Sequence, residues 1–191
     1  DYEPYALDRD KKIFDLLNEQ NINFIGSKDH VIFEKSEVVK NDGTPYLVFT
    51  PYSKKWKALF SDQSKQEYNT IGLVDSLIQV KEKQNLIDLK ALGFEYTPQA
   101  IPQKEVVKDI IQSYQNSRNF PSRNGTSRLG IHLRFGTISI RELVNQSENL
   151  SETFINELIW RDFYQMIIFH FPHSAKNSFR KEYDLIEWEK N

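Results

Sequence analysis

The chain has 191 residues, of which 39% are hydrophobic and 13% aromatic, enough apolar surface for one or two packed domains. A formal charge of −2 excludes a protein that coats nucleic acid by net charge, so affinity for a polyanion has to come from a local patch. Cysteine is absent, which removes disulfides, thiolate metal sites and cysteine nucleophiles; with no membrane-length apolar run and no targeting signal, the sequence reads as soluble and cytoplasmic.

In chain order, residues 9–19 predict an amphipathic helix through Ile13, Leu16 and Leu17. Short apolar runs at 22–25 and 31–33 suit strands, which together give an α/β pattern. Asn41-Asp42-Gly43-Thr44-Pro45 is a turn, followed by an exit through 48–50 and a lysine-rich helical piece around Trp56. Residues 61–100 are polar, closed by Pro98 and Pro102, and read as a long surface connection with some helix. From Ile101 onward the pattern is helical.

Between Asp109 and Glu142 there is no carboxylate, yet five arginines, and in the middle stands Gly125-Thr126-Ser127-Arg128-Leu129-Gly130. Asn124-Gly125 signals a turn, and Thr126 and Ser127 are good N-cap types. A helix opening there would aim free N–H groups and its positive dipole end outward, where a diphosphate is a natural occupant. An ordinary capped helix with a solvated arginine face explains the hexapeptide equally well. His132, inside this stretch, suits either a phosphate contact or packing.

A helix is predicted over 150–171, started by Asn149 with Glu152 three residues on, or by Ser151, and stopped by Pro172. At a period of 3.6, Glu157, Trp160, Arg161 and Tyr164 share one face, while Ile155, Ile159, Phe163 and Met166 share another. Taken alone, the first face reads as a Glu157–Arg161 ion pair beside a core tryptophan. His170 and His173 are separated by a helix break and have no third ligand, so no metal site is read there.

Three separated motifs carry a resemblance. Tyr114, Arg118-Asn119-Phe120-Pro121, Gly125-Thr126-Ser127-Arg128-Leu129 and His132-Leu133-Arg134-Phe135-Gly136-Thr137-Ile138-Ser139 follow the order and spacing of the flavin-binding region of DNA photolyases and cryptochromes. Asn156-Glu157-Leu158-Ile159-Trp160-Arg161-Asp162-Phe163-Tyr164 resembles the lesion-contacting helix of that family. Val48-Phe49-Thr50-Pro51-Tyr52 with Trp56 is similar to its exit from the N-terminal domain.

The resemblance implies an incomplete Rossmann-like α/β antenna domain at 1–57, an interdomain linker at 58–100 and an incomplete, mostly α-helical FAD-binding domain at 101–191. Both ends then read as cut, with the main contacts to the flavin ring beyond Asn191. It implies cofactor contacts from Tyr114, Thr126, Ser127, Arg128, Leu129, Gly130, Phe154 and Arg161, with Gly130 where serine is common and Phe154 where tryptophan is. DNA contacts would come from Arg118, Glu157, Trp160, Arg161 and Tyr164, with Glu157 and Trp160 holding the dimer. Trp188 falls near the outermost tryptophan of an electron-hopping chain, although a lone tryptophan is more often packing. Asp8 and Lys176 fall near positions that meet a folate or other antenna chromophore.

The implied activity is that of a deoxyribodipyrimidine photo-lyase: light-driven repair of cyclobutane pyrimidine dimers by an electron from reduced FAD. The implied partner is damaged DNA, and the implied full-length protein a monomer. A cryptochrome-type photoreceptor and a non-catalytic helical nucleic-acid-binding module are the alternatives.

Overall fold

Seven α-helices and three short 3-10 turns make up the regular structure of the computed structural model, which describes residues 1–61, 70–77 and 85–189. Helix α1 spans Pro4–Glu19, with Pro4 at the first turn, where its missing N–H costs nothing. The expected apolar stripe is there, but Ile13 and Leu16 stay exposed and Ala6 is the buried residue of the helix. Phe14 finds a partner in Phe24, edge-on at 6.1 Å.

The strands expected at 22–25 and 31–33 do not form, and no strand exists among the described residues. A strand needs a neighbour to complete its ladder. Ile22, Phe24 and Ile25 are exposed with none beside them, whereas Val31 and Ile32 are buried by side-chain packing instead. The α/β expectation is corrected to a helical arrangement on this ground. Helix α2 covers Phe49–Leu59 and includes Trp56 as expected. Of the expected connection at 58–100, residues 62–69 and 78–84 lie outside the described residues; Ile71–Ser76 is an exposed 3-10 turn.

Five helices follow: α3 (Lys108–Gln112), α4 (Tyr114–Ser117), α5 (Gly130–Arg134), α6 (Ile140–Ser147) and α7 (Glu152–His170). The start of α6 is written as Ser139-Ile140-Arg141-Glu142, with the Ser139 hydroxyl accepting from the Glu142 N–H at 3.4 Å. Of the two caps proposed for α7, Ser151 is the one used, accepting from the Phe154 N–H at 3.3 Å. Pro172 ends the helix and opens a 3-10 turn through Ala175.

One apolar cluster holds these pieces together. It takes Ile32, Val38, Tyr52 and Trp56 from the first sixty residues, Ile111, Leu129, Ile140, Leu143 and Val144 from the middle, and Phe154, Ile155, Leu158, Ile159, Phe163 and Met166 from α7. Helix α7 is thus the central rod. Ile155, Ile159, Phe163 and Met166 share its buried face as their spacing requires.

Candidate functional site

The 125–130 segment is positioned by a close approach. A Cβ on Gly125 would lie 2.7 Å from both Cβ and the carbonyl oxygen of Ser117, so only glycine lets the chain pass there. The Ser117 hydroxyl donates to the Gly125 carbonyl at 3.3 Å and fastens the segment to the end of α4. Arg128 then adopts a left-handed backbone with φ of 54°. The helix expected to open at Thr126 or Ser127 begins only at Gly130, capped by Leu129 without a side-chain bond. That left-handed residue is the reason, since it cannot belong to a right-handed first turn.

Thr126, Arg128 and Gly130 are exposed and Ser127 half-buried, whereas the Leu129 side chain is sunk in the core. Neither the Thr126 hydroxyl nor the Arg128 guanidinium bonds to another described residue. His132 is spent elsewhere. One ring nitrogen faces the Pro102 carbonyl at 2.6 Å and must donate, which leaves the other to accept from the Thr137 hydroxyl at 2.7 Å. Both ring nitrogens are thereby engaged within the chain.

Helix α7 lies beside this segment. Glu157 forms an ion pair with Arg118, just past the end of α4, and both side chains are about one-third exposed. The Arg118 guanidinium sits 5.4 Å from the Tyr114 ring centroid, and its pKa is raised by the hydrogen bond to Glu157. Tyr114 meets Phe154 edge-on at 5.3 Å; burial, then the Glu157 charge, push its hydroxyl pKa up. Arg118, Tyr114, Phe154 and Glu157 therefore form one contiguous group.

Next along the helix, the Trp160 indole stacks on Phe49 of α2 with centroids 3.7 Å apart and planes 4° from parallel. It also stacks on Tyr164 at 5.4 Å and meets Phe163 edge-on at 5.6 Å. Trp160 is half-buried and Tyr164 exposed, so the stack ends at the surface.

Arg161 does not pair with Glu157. Its guanidinium turns to the His30 carbonyl and ring and to the Leu133 carbonyl at 3.3 Å, fastening the 28–35 loop and α5 to α7. The i,i+4 pair is overturned because each partner finds a better one off the helix. Burial, then the Arg161 charge, hold the His30 pKa down at about 4, so the ring is neutral at pH 7. Arg134 reaches Glu3 at 2.7 Å. A cavity of about 550 Å³ lies between the chain start, the 26–35 loop, Arg134 and Phe169, away from Thr126 and Trp160.

Asp162 went unread as a functional or structural residue, although a carboxylate three residues after Ile159 and four before Met166 was a legible oddity on the apolar face. It is fully buried and accepts from the Trp56 indole N–H at 2.9 Å and the Phe33 N–H at 3.2 Å, both on Oδ2. Oδ1 has no partner. Burial dominates and pushes its pKa up to about 6.

The remaining expected residues lie apart from this group. Trp188 is 76% exposed with no aromatic neighbour recorded among the described residues. Asp8 pairs with Lys12 at 2.7 Å, and Lys176 is exposed beyond α7. Among the described residues no cluster of three or more His, Cys, Asp or Glu could hold a metal, and no helix is long and apolar enough to cross a membrane.

Residues 1–69 match the family model described as DNA photolyase. The chain is 29% identical to the deoxyribodipyrimidine photo-lyase of Alkalihalophilus pseudofirmus, over 94% of this chain and 41% of that protein. It is 27% identical to the enzyme of the same name from Synechococcus sp., over 99% of this chain and 44% of the relative. The chain thus spans less than half the length of these curated relatives. In fold it is similar to a bacterial class III photolyase from Agrobacterium tumefaciens, with a TM-score of 0.73 at 21% identity, over 99% of this chain and 43% of that one. The family model, the named relatives and the fold all make DNA photolyases the proteins that this chain is similar to.

Proposed function

We propose that the protein carrying this chain repairs cyclobutane pyrimidine dimers in DNA by light-driven electron transfer from FAD. What carries the reading is the adjacency of two surfaces. The exposed hydroxyl and guanidinium of the 125–130 segment and the Glu157–Trp160 face of α7 are joined through Ser117, Arg118 and Tyr114.

The donor set fits a dinucleotide. Thr126 and Ser127 offer hydroxyls, Arg128 offers a free guanidinium, and no carboxylate in the stretch repels a diphosphate. Gly130 leaves open space beside its α-carbon and offers its backbone there. Tyr114 supplies an aromatic edge, while Phe154 acts as the packing behind it. When bound, reduced FAD under blue or near-ultraviolet light supplies the electron that splits the dimer. The chain's own residues position: Trp160 and Tyr164 present a stacked aromatic surface for the extruded bases, and Glu157 accepts from a base edge. Arg118 meets phosphate, and Arg161 holds the wall of the site by clamping the 28–35 loop.

We assign residues 1–57 to the C-terminal part of the antenna domain, strandless in this stretch, 58–100 to the interdomain connection and 101–191 to the N-terminal part of the flavin domain. Asp8 and Lys176 are assigned to an antenna chromophore such as a folate, and Trp188 to the outer end of an electron path. The working form is a cytoplasmic monomer. The test is illumination of the flavin-loaded whole protein with an oligonucleotide carrying one thymine dimer, read by chromatography. Conversion to intact thymines is expected. Dimers that persist in a yellow, flavin-loaded preparation would turn the reading toward a photoreceptor, and failure to take up any flavin would leave a nucleic-acid-binding module.

A further inference from the structure

We infer that the Arg118–Glu157 ion pair is a discriminating latch that releases Arg118 to DNA phosphate only when a damaged base pair engages Glu157. The inference rests on the repair reading above and adds to it a coupling between docking and lesion recognition. Arg118 and Glu157 come from different elements, the end of α4 and the second turn of α7, and each occupies the other's charge. Both side chains are about one-third exposed, so a polyanion can reach the guanidinium and a base edge can reach the carboxylate. The Tyr114 ring lies beneath the guanidinium and Phe154 fixes that ring, so Arg118 swings from a rigid base.

The exchange is asymmetric. On undamaged DNA, withdrawing Arg118 to a phosphate strands the Glu157 carboxylate in a half-covered site with no donor, so the pair stays closed. A flipped pyrimidine offers its ring N–H to Glu157, and the guanidinium is then free to take a phosphate at no loss to its former partner. An exposed pair of this kind holds its partners by no more than about fivefold, so the base edge that replaces Arg118 on Glu157 has only a weak contact to displace.

Counterion release makes the latch countable. Each phosphate contact adds about 0.9 to the slope of log affinity against log salt on duplex DNA. For the flavin-loaded whole protein in the dark, the slope on a duplex with one thymine dimer is expected to exceed that on the matched intact duplex by about one contact. Glu157→Gln opens the latch permanently: its slope on intact duplex rises to the dimer value and its affinity there increases about two- to fivefold. Arg118→Gln lowers the dimer slope to the intact value. Equal slopes for the wild type on both duplexes, or an intact-DNA slope unmoved by Glu157→Gln, would overturn the latch while a retained preference for dimer DNA keeps the repair reading. Loss of any preference for the dimer duplex in the wild type would overturn both.

Discussion

The Trp56 indole N–H donates to the Asp162 carboxylate at 2.9 Å across 106 residues of sequence. The same oxygen receives the Phe33 N–H, so one buried side chain of α7 fixes both α2 and the loop before it. Trp160, two residues earlier on α7, stacks on Phe49 at the start of α2. The helix face proposed to meet a lesion is therefore registered against the first sixty residues from both of its sides.

Trp56→Phe removes one donor from a buried carboxylate that already has an unpartnered oxygen, and is expected to cost about 1–3 kcal/mol. Asp162→Asn keeps an acceptor for both N–H groups and removes the buried charge, but places an amide N–H₂ where Oδ1 had no partner. Those effects nearly offset, leaving it within about 1 kcal/mol of wild type at pH 7. Urea midpoints of the two variants check the order; equal losses would show that the indole contributes only by packing.

Acid should reveal two opposing groups. Asp162 ionises near 3.8 when unfolded and about 6 when folded. The fold therefore holds a proton that the unfolded chain has lost, and stability falls by about 3 kcal/mol as pH rises through that window. His30 behaves oppositely: its pKa falls from the usual 6.5 to about 4, so its contribution is complete above 6.5 and is lost as pH falls toward 4. Asp162→Asn should steepen the acid loss of stability between pH 6 and 4, and His30→Gln should flatten it. Denaturant titrations at several pH values read both; a profile unchanged by Asp162→Asn would refute the buried carboxyl as the titrating group.

Gly125→Ala drives a methyl into the Ser117 backbone, a contact of 2.7 Å that no rotamer relieves. A destabilisation of about 1–3 kcal/mol is expected. Gly130→Ser meets nothing within 4 Å and should leave the melting temperature unchanged. In the whole protein it adds a hydroxyl beside the proposed diphosphate and should tighten flavin retention during dialysis. A destabilising Gly130→Ser would show that the start of α5 is more closely packed than its open surroundings imply.

Trp160→Ala removes two stacked ring contacts, each worth about 0.5–1.5 kcal/mol, and should lower both the melting temperature and dimer repair. Trp160→Phe should recover most of the stability, because a ring remains on Phe49, while repair stays at least tenfold down for want of the larger plane. Repair undiminished in either variant would remove Trp160 from the lesion surface.

Helix α7 was legible because its signals are local: Ser151 before it, Pro172 after it, and apolar residues at helical spacing between. The contact between Arg118 and Glu157 was not, since the spacing within one helix pointed Glu157 at Arg161 and gave no view of α4. The start of α5 was misplaced because Thr126 and Ser127 are good caps in isolation. Nothing in their types announces the left-handed Arg128 that follows. The strands failed for the complementary reason, since Ile22 and Phe24 have the composition of a strand but no ladder partner among the described residues. Asp162 shows the limit of periodicity: its position on the apolar face could be read, but its partners 106 and 129 residues away could not.

Because Ile32 and Met166 sit in one apolar interior, that interior has no seam along which the chain could be divided. Clipping after α2 or before α7 would open the same room from opposite doors, and the described helices that line it should melt together.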